Sequence, residues 1–447
     1  MATLDQPTAL DRTLRLFADV KPGEGLLALL LAFNVFLILA TYYILKPVRE
    51  ALILGQGSPE LKTYLSVGQV ALLSVAVPLY GRLAATLHRG ALLKVVTYFF
   101  VACLAIFYVL ARANVPIGIA YFLWIGVFNL MIVAQFWSFA NDLYTREEGE
   151  RLFPIVGFGA SLGAVLGAII AGWLIAPLGV YQLLLVGAVL LAAQLQVTNY
   201  VDRHTSQHEE APKPPSKKGD AGTHTNAFAL VFRTRYLLLI AFMLLLNATV
   251  DATGEYILGS IVSDAAQARV AAGNAGGLGV EGVIGAFYSR YFALINITSL
   301  LLQLFVVSRI VKYLGVSTAV TILPALSLIA YNVMAFAPSL WVVLAAKVTE
   351  KGTDYSLSNT VRNMLFLPCT TEEKYSAKQA IDSFFVRVGD VLAAVIVFAG
   401  TQWLGLQPRG FALVNAALVA VWLVLAWQIG REYARLAAPF DRPRVAA

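Results

Sequence analysis

The sequence predicts an all-α, polytopic membrane protein: twelve transmembrane helices in two six-helix bundles, with both termini on the cytoplasmic side. Three observations predict it. Of 447 residues, 59% are apolar and 13% charged, with a mean hydropathy of +0.73, well away from the balance of a soluble globular domain. Windows of roughly 20 apolar residues, the length a helix needs to cross hydrocarbon, recur along the whole chain. Basic residues gather in alternate loops, as they do on the cytoplasmic side of a membrane.

In chain order, Pro, Gly and charge clusters bound spans at about 25–54, 61–82, 91–112, 115–140, 152–176 and 178–200 in the first half. The second half gives about 235–258, 284–312, 314–336, 338–362, 378–404 and 408–430. The opening segment lacks the basic, apolar and small-residue order of a cleavable signal, so span 1 is expected to remain. Arg12, Arg15 and Lys21 precede span 1, Arg82, Arg89 and Lys94 lie about the loop after span 2, and Arg146 and Arg151 follow span 4. Arg203, Lys213, Lys217 and Lys218 fill the central loop, Arg309 and Lys312 end span 8, and Arg431, Arg435, Arg442 and Arg444 form the tail. Twelve spans place all of these on one side, and opposite loops such as "APLGVY" and "AFAPSL" carry no basic residue. The net charge of +7 is thus largely topological and does not indicate nucleic acid. The expected surroundings are a lipid bilayer, the cell (inner) membrane.

Residues 203–226 are rich in Pro, Lys, Ser and Gly and too poor in apolar residues to fold, so they read as a flexible cytoplasmic linker. They divide the chain into 1–202 and 227–447, each with six spans. The halves also echo each other. "TREEGERLFPIVGFGASLGAVLGA" starts at Thr145 and "TTEEKYSAKQAIDSFFVRVGDVLAA" at Thr370, with Gly163 and Gly389 in corresponding places. Two six-helix bundles related by a parallel repeat describe a major facilitator-like architecture, in which the halves rock about a site near the bilayer midplane. Gly159, Gly163, Gly167 and Ala171 recur every four residues, a face against which another backbone can lie closely.

An ionised group at the bilayer centre costs about 2.5–3.5 kcal/mol on insertion scales, so it faces protein or a water-filled cavity. Lys46 and Glu50 are four apart in "YYILKPVREALIL" and can pair, leaving Arg49 for a substrate. Pro47 either kinks this helix or marks its end near Leu45, which would leave the charges in a wet loop. Asp251 and Glu255, with Asn247 one turn earlier, form a polar stripe on span 7, where two carboxylates could share a proton. That permits a proton as coupling ion; a structural network with Asn247 is the alternative. Lys347, Glu350, Lys351 and Asp354 alternate in sign on span 10, and Arg387 can pair with Asp390 on span 11. Asn34, Tyr42, Tyr43, Asn129 and Gln135 add neutral hydrogen-bonding groups. Lys46, Arg49, Lys351 and Arg387 together favour an anionic small molecule as substrate. Cys103 and Cys369 have no ligand spacing and the four histidines fall in loops, so neither metal nor cofactor is expected. No P-loop or other enzyme motif is present, which excludes ATP-driven pumping within this chain.

Four motifs occur in order along the chain: Lys46-Pro47-Val48-Arg49-Glu50, "FWSFANDLYTREEGERLFPIVGFGA", Lys351 to Leu357 with Arg362 and Met364, and Lys378 to Asp382 with Arg387 and Gly389. They resemble those of the nucleotide transporter family, the plastid-type and intracellular-bacterial ATP/ADP antiporters. The resemblance implies a major facilitator-like fold and exchange of nucleotides, with Arg49 standing for the family's span 1 cation. Where the family has a span 11 lysine after the glycine, this chain has Asp390; its span 4 glutamate falls near Ile125 and its span 7 glutamate near Val250 or Asp251. Two other readings follow from the same residues: a proton-coupled porter of another small metabolite, suggested by Asp390 and the span 7 stripe, and a non-transporting membrane scaffold or assembly factor.

Overall fold

A backbone that crosses hydrocarbon finds no water, so it must satisfy its own N–H and C=O groups, and a helix does this within one segment. The computed structural model of the protein describes residues 9–15, 18–206, 227–337, 339–370, 373 and 377–437. Among these residues all regular structure is helical. The first half contains α1 (Ala9–Leu14), α2 (Gly25–Gln56), α3 (Pro59–Thr86), α4 (Arg89–Arg112), α5 (Gly118–Leu143), α6 (Arg146–Leu178) and α7 (Gln182–Ser206). The second contains α8 (Ala227–Arg233), α9 (Arg235–Ala271), α10 (Val280–Leu302), α11 (Ser308–Phe336), α12 (Leu340–Thr353), α13 (Asn359–Met364), α14 (Lys378–Ala380), α15 (Val386–Gln402) and α16 (Pro408–Ala437). Short π-helical turns join α10 to α11, α12 to α13 and α14 to α15. The linker expected at 203–226 lies almost wholly outside the described residues.

Among the described residues ten helices are long and apolar enough to span a membrane. One of them, Val280–Phe336, has 57 residues and covers two of the expected spans. As a straight rod it would reach about 85 Å, against hydrocarbon of about 30 Å. It is broken at Gly315, where φ is 72° and ψ 166°, a conformation that favours glycine. The expected span at 338–362 is not among the ten. It is assembled from α12, with 14 residues, a π-helical turn and α13, with 6, and it carries four charged residues between Lys347 and Asp354.

The described residues pack as two compact units. Unit 1 draws on residues 1–57, 71–216 and 266–293, and unit 2 on 58–70, 217–265 and 294–447. In unit 1, α2 lies along α6 through the four-residue glycine stripe. Gly159, Gly163 and Gly167 face the backbones of Ala32, Phe36 and Ala40, and a Cβ on Gly167 would stand 2.5 Å from the Ala40 carbonyl oxygen. Lipid tails give apolar helices little reason to associate, so such backbone contact supplies the attraction. The helix α2 continues through Pro47 to Gln56, and Tyr121 Oη donates to the Leu45 carbonyl oxygen at 3.2 Å. Lys46, Arg49 and Glu50 therefore sit on helix and not in a loop.

In unit 2, α15 approaches α9 in the same manner. A Cβ on Gly389 would stand 2.6 Å from the Leu245 carbonyl oxygen, and Thr249 Oγ1 donates to the Gly389 carbonyl oxygen at 3.2 Å. The internal echo of the sequence has a local structural counterpart. Thr145 N donates to Glu148 at 2.8 Å and Glu148 N returns to Thr145 Oγ1 at 3.4 Å, a capping box that starts α6. Thr370 N donates to Glu373 at 2.8 Å and Glu373 N returns to Thr370 Oγ1 at 3.4 Å. The duplicated letters make a duplicated box.

Two predictions follow from this packing. Gly167→Val should lower stability in detergent by about 1–3 kcal/mol, the usual cost of overpacking, whereas Gly157→Val, on the same helix with nothing within 4 Å of its position, should leave the thermal midpoint nearly unchanged. The second concerns Glu24, just before α2, which Arg151 grips with two hydrogen bonds of 2.8 and 2.9 Å. The Arg151 guanidinium holds the Glu24 carboxyl below its ordinary value of 4.5. The folded carboxyl thus ionises at lower pH than the unfolded one, so the pair's contribution is complete above about 4.5 and is lost as pH falls through the lower folded value. The thermal midpoints of wild type and Glu24→Gln should therefore differ at neutral pH and converge on acidification below that range.

Candidate functional site

An assembly of buried charge lies in unit 2, where α9 and α12 face each other. Lys347 is completely buried, and its Nζ lies 2.7 Å from Glu350 Oε2 and 3.5 Å from Asp251 Oδ1. One turn on, Lys351 Nζ lies 2.6 Å from Asp251 Oδ2 and 5.6 Å from the centre of the Tyr355 ring. Glu350 has further support: Ser327 Oγ donates to it at 3.1 Å and Tyr331 Oη lies 3.3 Å from its other oxygen. Tyr331 Oη also donates to the Val250 carbonyl oxygen at 3.1 Å, as does Asn415 Nδ2, and Thr253 Oγ1 donates to Asn415 Oδ1 at 2.6 Å. Gly254 makes the approach possible, since a Cβ there would collide with Tyr331 Oη and stand 2.8 Å from Lys347 Nζ.

These distances separate structural charge from accessible charge. Removing Glu350 would leave Lys347 buried without its nearest counter-ion, a change worth about 3–5 kcal/mol in comparable buried pairs. Asp251, with 34% of its side chain exposed, and Lys351, with 11%, are the more accessible members of the Lys347, Lys351 and Asp251 set. Lys347 pairs with Glu350 on span 10 and Arg387 with Asp390 on span 11 at 3.1 Å, as i,i+3 spacing allows, whereas Lys351 reaches across to Asp251 on α9. Proton sharing between Asp251 and Glu255 does not describe the geometry. Each carboxylate has its own lysine, Glu255 pairing with Lys62 at 3.4 Å, because cations from α12 and α3 reach the α9 stripe.

Unit 1 holds the other expected cations. Lys46 Nζ lies 4.1 Å from the centre of the Phe292 ring, 5.1 Å from Tyr43 and 5.7 Å from Tyr42, an aromatic surround that suits an ammonium. Arg49 lies 5.2 Å from the Phe122 ring and hydrogen-bonds the fully buried Glu50. The expectation that Arg49 is left over for a substrate changes here, because its guanidinium reaches the adjacent carboxylate.

Asn34 belongs to a neutral network. Its Nδ2 donates to Thr198 Oγ1 at 2.7 Å, and Gln194 Nε2 donates to Asn34 Oδ1 at 2.9 Å. Together with Thr97 and Gln135 these residues line one small cavity in unit 1. Asn129, on α5, is half-buried. Among the described residues no three His, Cys, Asp or Glu side chains gather as a metal set. The sequence reading missed Tyr331, Ser327, Asn415 and Lys62, single polar residues whose partners lie far along the chain. Gly254, beside Asp251 in an otherwise helical run, was the one local signal of a close approach.

Helices fit to span a bilayer, with buried ion pairs among them, define a multi-pass membrane protein, and its fold is of the major facilitator type. The fold matches a solved variant of the nucleoside transporter NupG with a TM-score of 0.66 at 13% identity, covering 90% of this chain and 99% of that one. Residues 319–433 match the family model described as TLC ATP/ADP transporter. ADP,ATP carrier protein 1 of Chlamydia pneumoniae is 21% identical over 349 residues, a match spanning 68% of this chain and 65% of the carrier, just under two thirds of the carrier's length. ADP,ATP carrier protein 1 of Rickettsia bellii is 20% identical over 477 residues, covering 90% of this chain and 92% of that protein. The chain thus resembles the nucleotide transporters in its family-model match and along most of its length, as its motifs imply.

The network predicts its own fragility. Gly254→Ala should lower stability by about 1–3 kcal/mol through the clash with Tyr331. In a Tyr331→Phe background the same substitution should cost less, because the colliding hydroxyl is gone; equal losses of thermal midpoint in both backgrounds would show that the approach to Lys347, and not to Tyr331, sets the cost.

Proposed function

We propose that the protein is a secondary transporter of the inner membrane that exchanges nucleotides of the ATP/ADP kind by alternating access, and is not an enzyme. The observation that carries this reading is the coincidence of two features. The matched family segment, 319–433, contains the helices that bear the Lys347, Glu350 and Lys351 cluster, and intramembrane charge of that kind marks substrate paths. In this reading twelve spans form two six-helix bundles, 1–202 and 227–447, joined by a cytoplasmic linker at 203–226, with both termini inside. The break at Gly315, next to Lys312 and Arg309, supports a cytoplasmic turn between two spans. The substrate is an anionic small molecule. Lys46, Arg49, Lys351 and Arg387 attract its phosphates, Asp251, Glu255 and Asp390 act as exchangeable counter-ions, and Asn34 and Asn129 offer neutral polar groups.

A second reading, a porter of another small metabolite coupled to protons, is favoured by one observation. Arg387 is already paired with Asp390, at the place where the resembled family has a lysine. One experiment separates the two. Proteoliposomes preloaded with ADP should take up labelled ATP without acidifying their lumen, and Arg49→Ala should reduce that uptake by an order of magnitude or more. Failure of all common nucleotides to be taken up would remove the nucleotide reading, and lumenal acidification during uptake would favour the second.

A further inference from the structure

The geometry points to Asp251 as a built-in counter-ion that a polyanionic substrate displaces from Lys351 and that Lys347 then holds. This deepens the transporter reading above and rests on it. The two carboxylate oxygens of Asp251 face different lysines, Oδ2 lying 2.6 Å from Lys351 Nζ and Oδ1 3.5 Å from Lys347 Nζ. The lysines differ in access: Lys351 keeps 11% of its side chain exposed, Lys347 none. A solute can therefore meet Lys351 and Asp251 but not Lys347. Lys347 is also anchored, because Glu350 holds its Nζ at 2.7 Å while Ser327 and Tyr331 hold Glu350. Asp251 is the partner with room to move.

Charge balance shows what such a site selects. Two ammonium groups, Lys347 and Lys351, face two carboxylates, Asp251 and Glu350, and a third carboxylate, Asp354, lies within electrostatic reach of Lys351 and of Arg362. A monocarboxylate arriving at Lys351 offers only what Asp251 already supplies, and it is repelled by Asp251. A phosphate group brings more charge and more acceptor oxygens, so it competes successfully for the ammonium. The displaced Asp251 keeps a partner in Lys347, which spares the span an uncompensated anion. Neighbouring charges are otherwise engaged: Glu255 pairs with Lys62 at 3.4 Å and Arg387 with Asp390 at 3.1 Å. When substrate departs, Asp251 returns to Lys351 and restores the resting pairing. The arrangement discriminates phosphorylated anions from simple carboxylates.

The test is equilibrium titration of the whole chain in lipid nanodiscs with two probes, ADP and pyrophosphate. Asp251→Asn should tighten pyrophosphate binding about five- to tenfold, the scale on which removing one like charge acts in a partly shielded site, and should let acetate compete where it does not in the wild type. Lys347→Met should weaken binding in the wild-type background and have little effect in Asp251→Asn, a coupling that a merely structural lysine would not show. Pyrophosphate binding by Asp251→Asn that is absent, equal to or weaker than that of the wild type overturns the inference, and this holds even if Lys347→Met does not fold. Tightened pyrophosphate binding with no ADP binding in either form would uphold the counter-ion and overturn the nucleotide reading.

Discussion

A lysine with no exposed surface, inside a segment that must lie among apolar helices, is the constraint around which unit 2 is organised. Desolvating an ammonium costs several kcal/mol, and only close, well-fixed counter-ions offset it. Lys347 has Glu350 at 2.7 Å and Asp251 at 3.5 Å, and each of those acids needs partners of its own. Ser327 and Tyr331 serve Glu350, while Lys351 serves Asp251. The chain of obligations passes from the buried lysine outward until it reaches groups that a solute can touch. A rigid interior thereby supports a pair of accessible charges whose position is set by atoms the solute never meets.

Close backbone approach is the second condition, and glycine supplies it in both units. On α6 the four-residue stripe lets α2 lie against it, which sets the helix that carries Lys46 and Arg49. On α9, Gly254 admits Tyr331 and Lys347, and on α15 Gly389 lies against the Leu245 backbone. Helices in lipid gain little from burying leucine against leucine, so the small residues determine which helices meet. Charge placement and glycine placement are then one problem, since an ion pair across two helices requires that the helices first come within reach.

Features governed by local spacing were legible in the sequence. The glycine stripe and the Lys347–Glu350 and Arg387–Asp390 pairs depend on residues three or four apart, and each formed; the repeated Thr-x-Glu-Glu was legible as an echo, and the structure adds that each copy closes a capping box. What was illegible depends on partners from distant segments. Asp251 and Glu255 read as a repelling pair because Lys351 and Lys62, about 100 and 190 residues away, leave no mark on the local pattern. Asn34 shows the same limit, since its partners Gln194 and Thr198 lie about 160 residues away. Arg49 shows a different limit, since helical spacing favours Glu50 with Lys46, while the longer guanidinium reaches the neighbouring carboxylate directly. The boundary expected between 312 and 314 falls beside the break at Gly315, and the span expected at 338–362 is assembled from α12, a π-helical turn and α13.

The two halves share a helix-starting device but not a polar interior. Thr145 with Glu148 and Thr370 with Glu373 build the same box with nearly the same distances. The buried polar groups around Asn34 in unit 1 are neutral amides and hydroxyls, with hydrogen bonds joining Asn34, Gln194 and Thr198. Those around Lys347 in unit 2 are full charges, which respond strongly to any ion that approaches. A neutral network gains little from exchanging partners with an anion, because each of its hydrogen bonds is worth only about 1 kcal/mol net and carries no charge to be balanced. A charged network changes its pairing when an anion arrives, because one added charge must be compensated somewhere. Of the two polar interiors, the unit 2 network therefore has the physical means to sense a charged solute, while the Asn34 network has the means to hold its own helices at fixed separation.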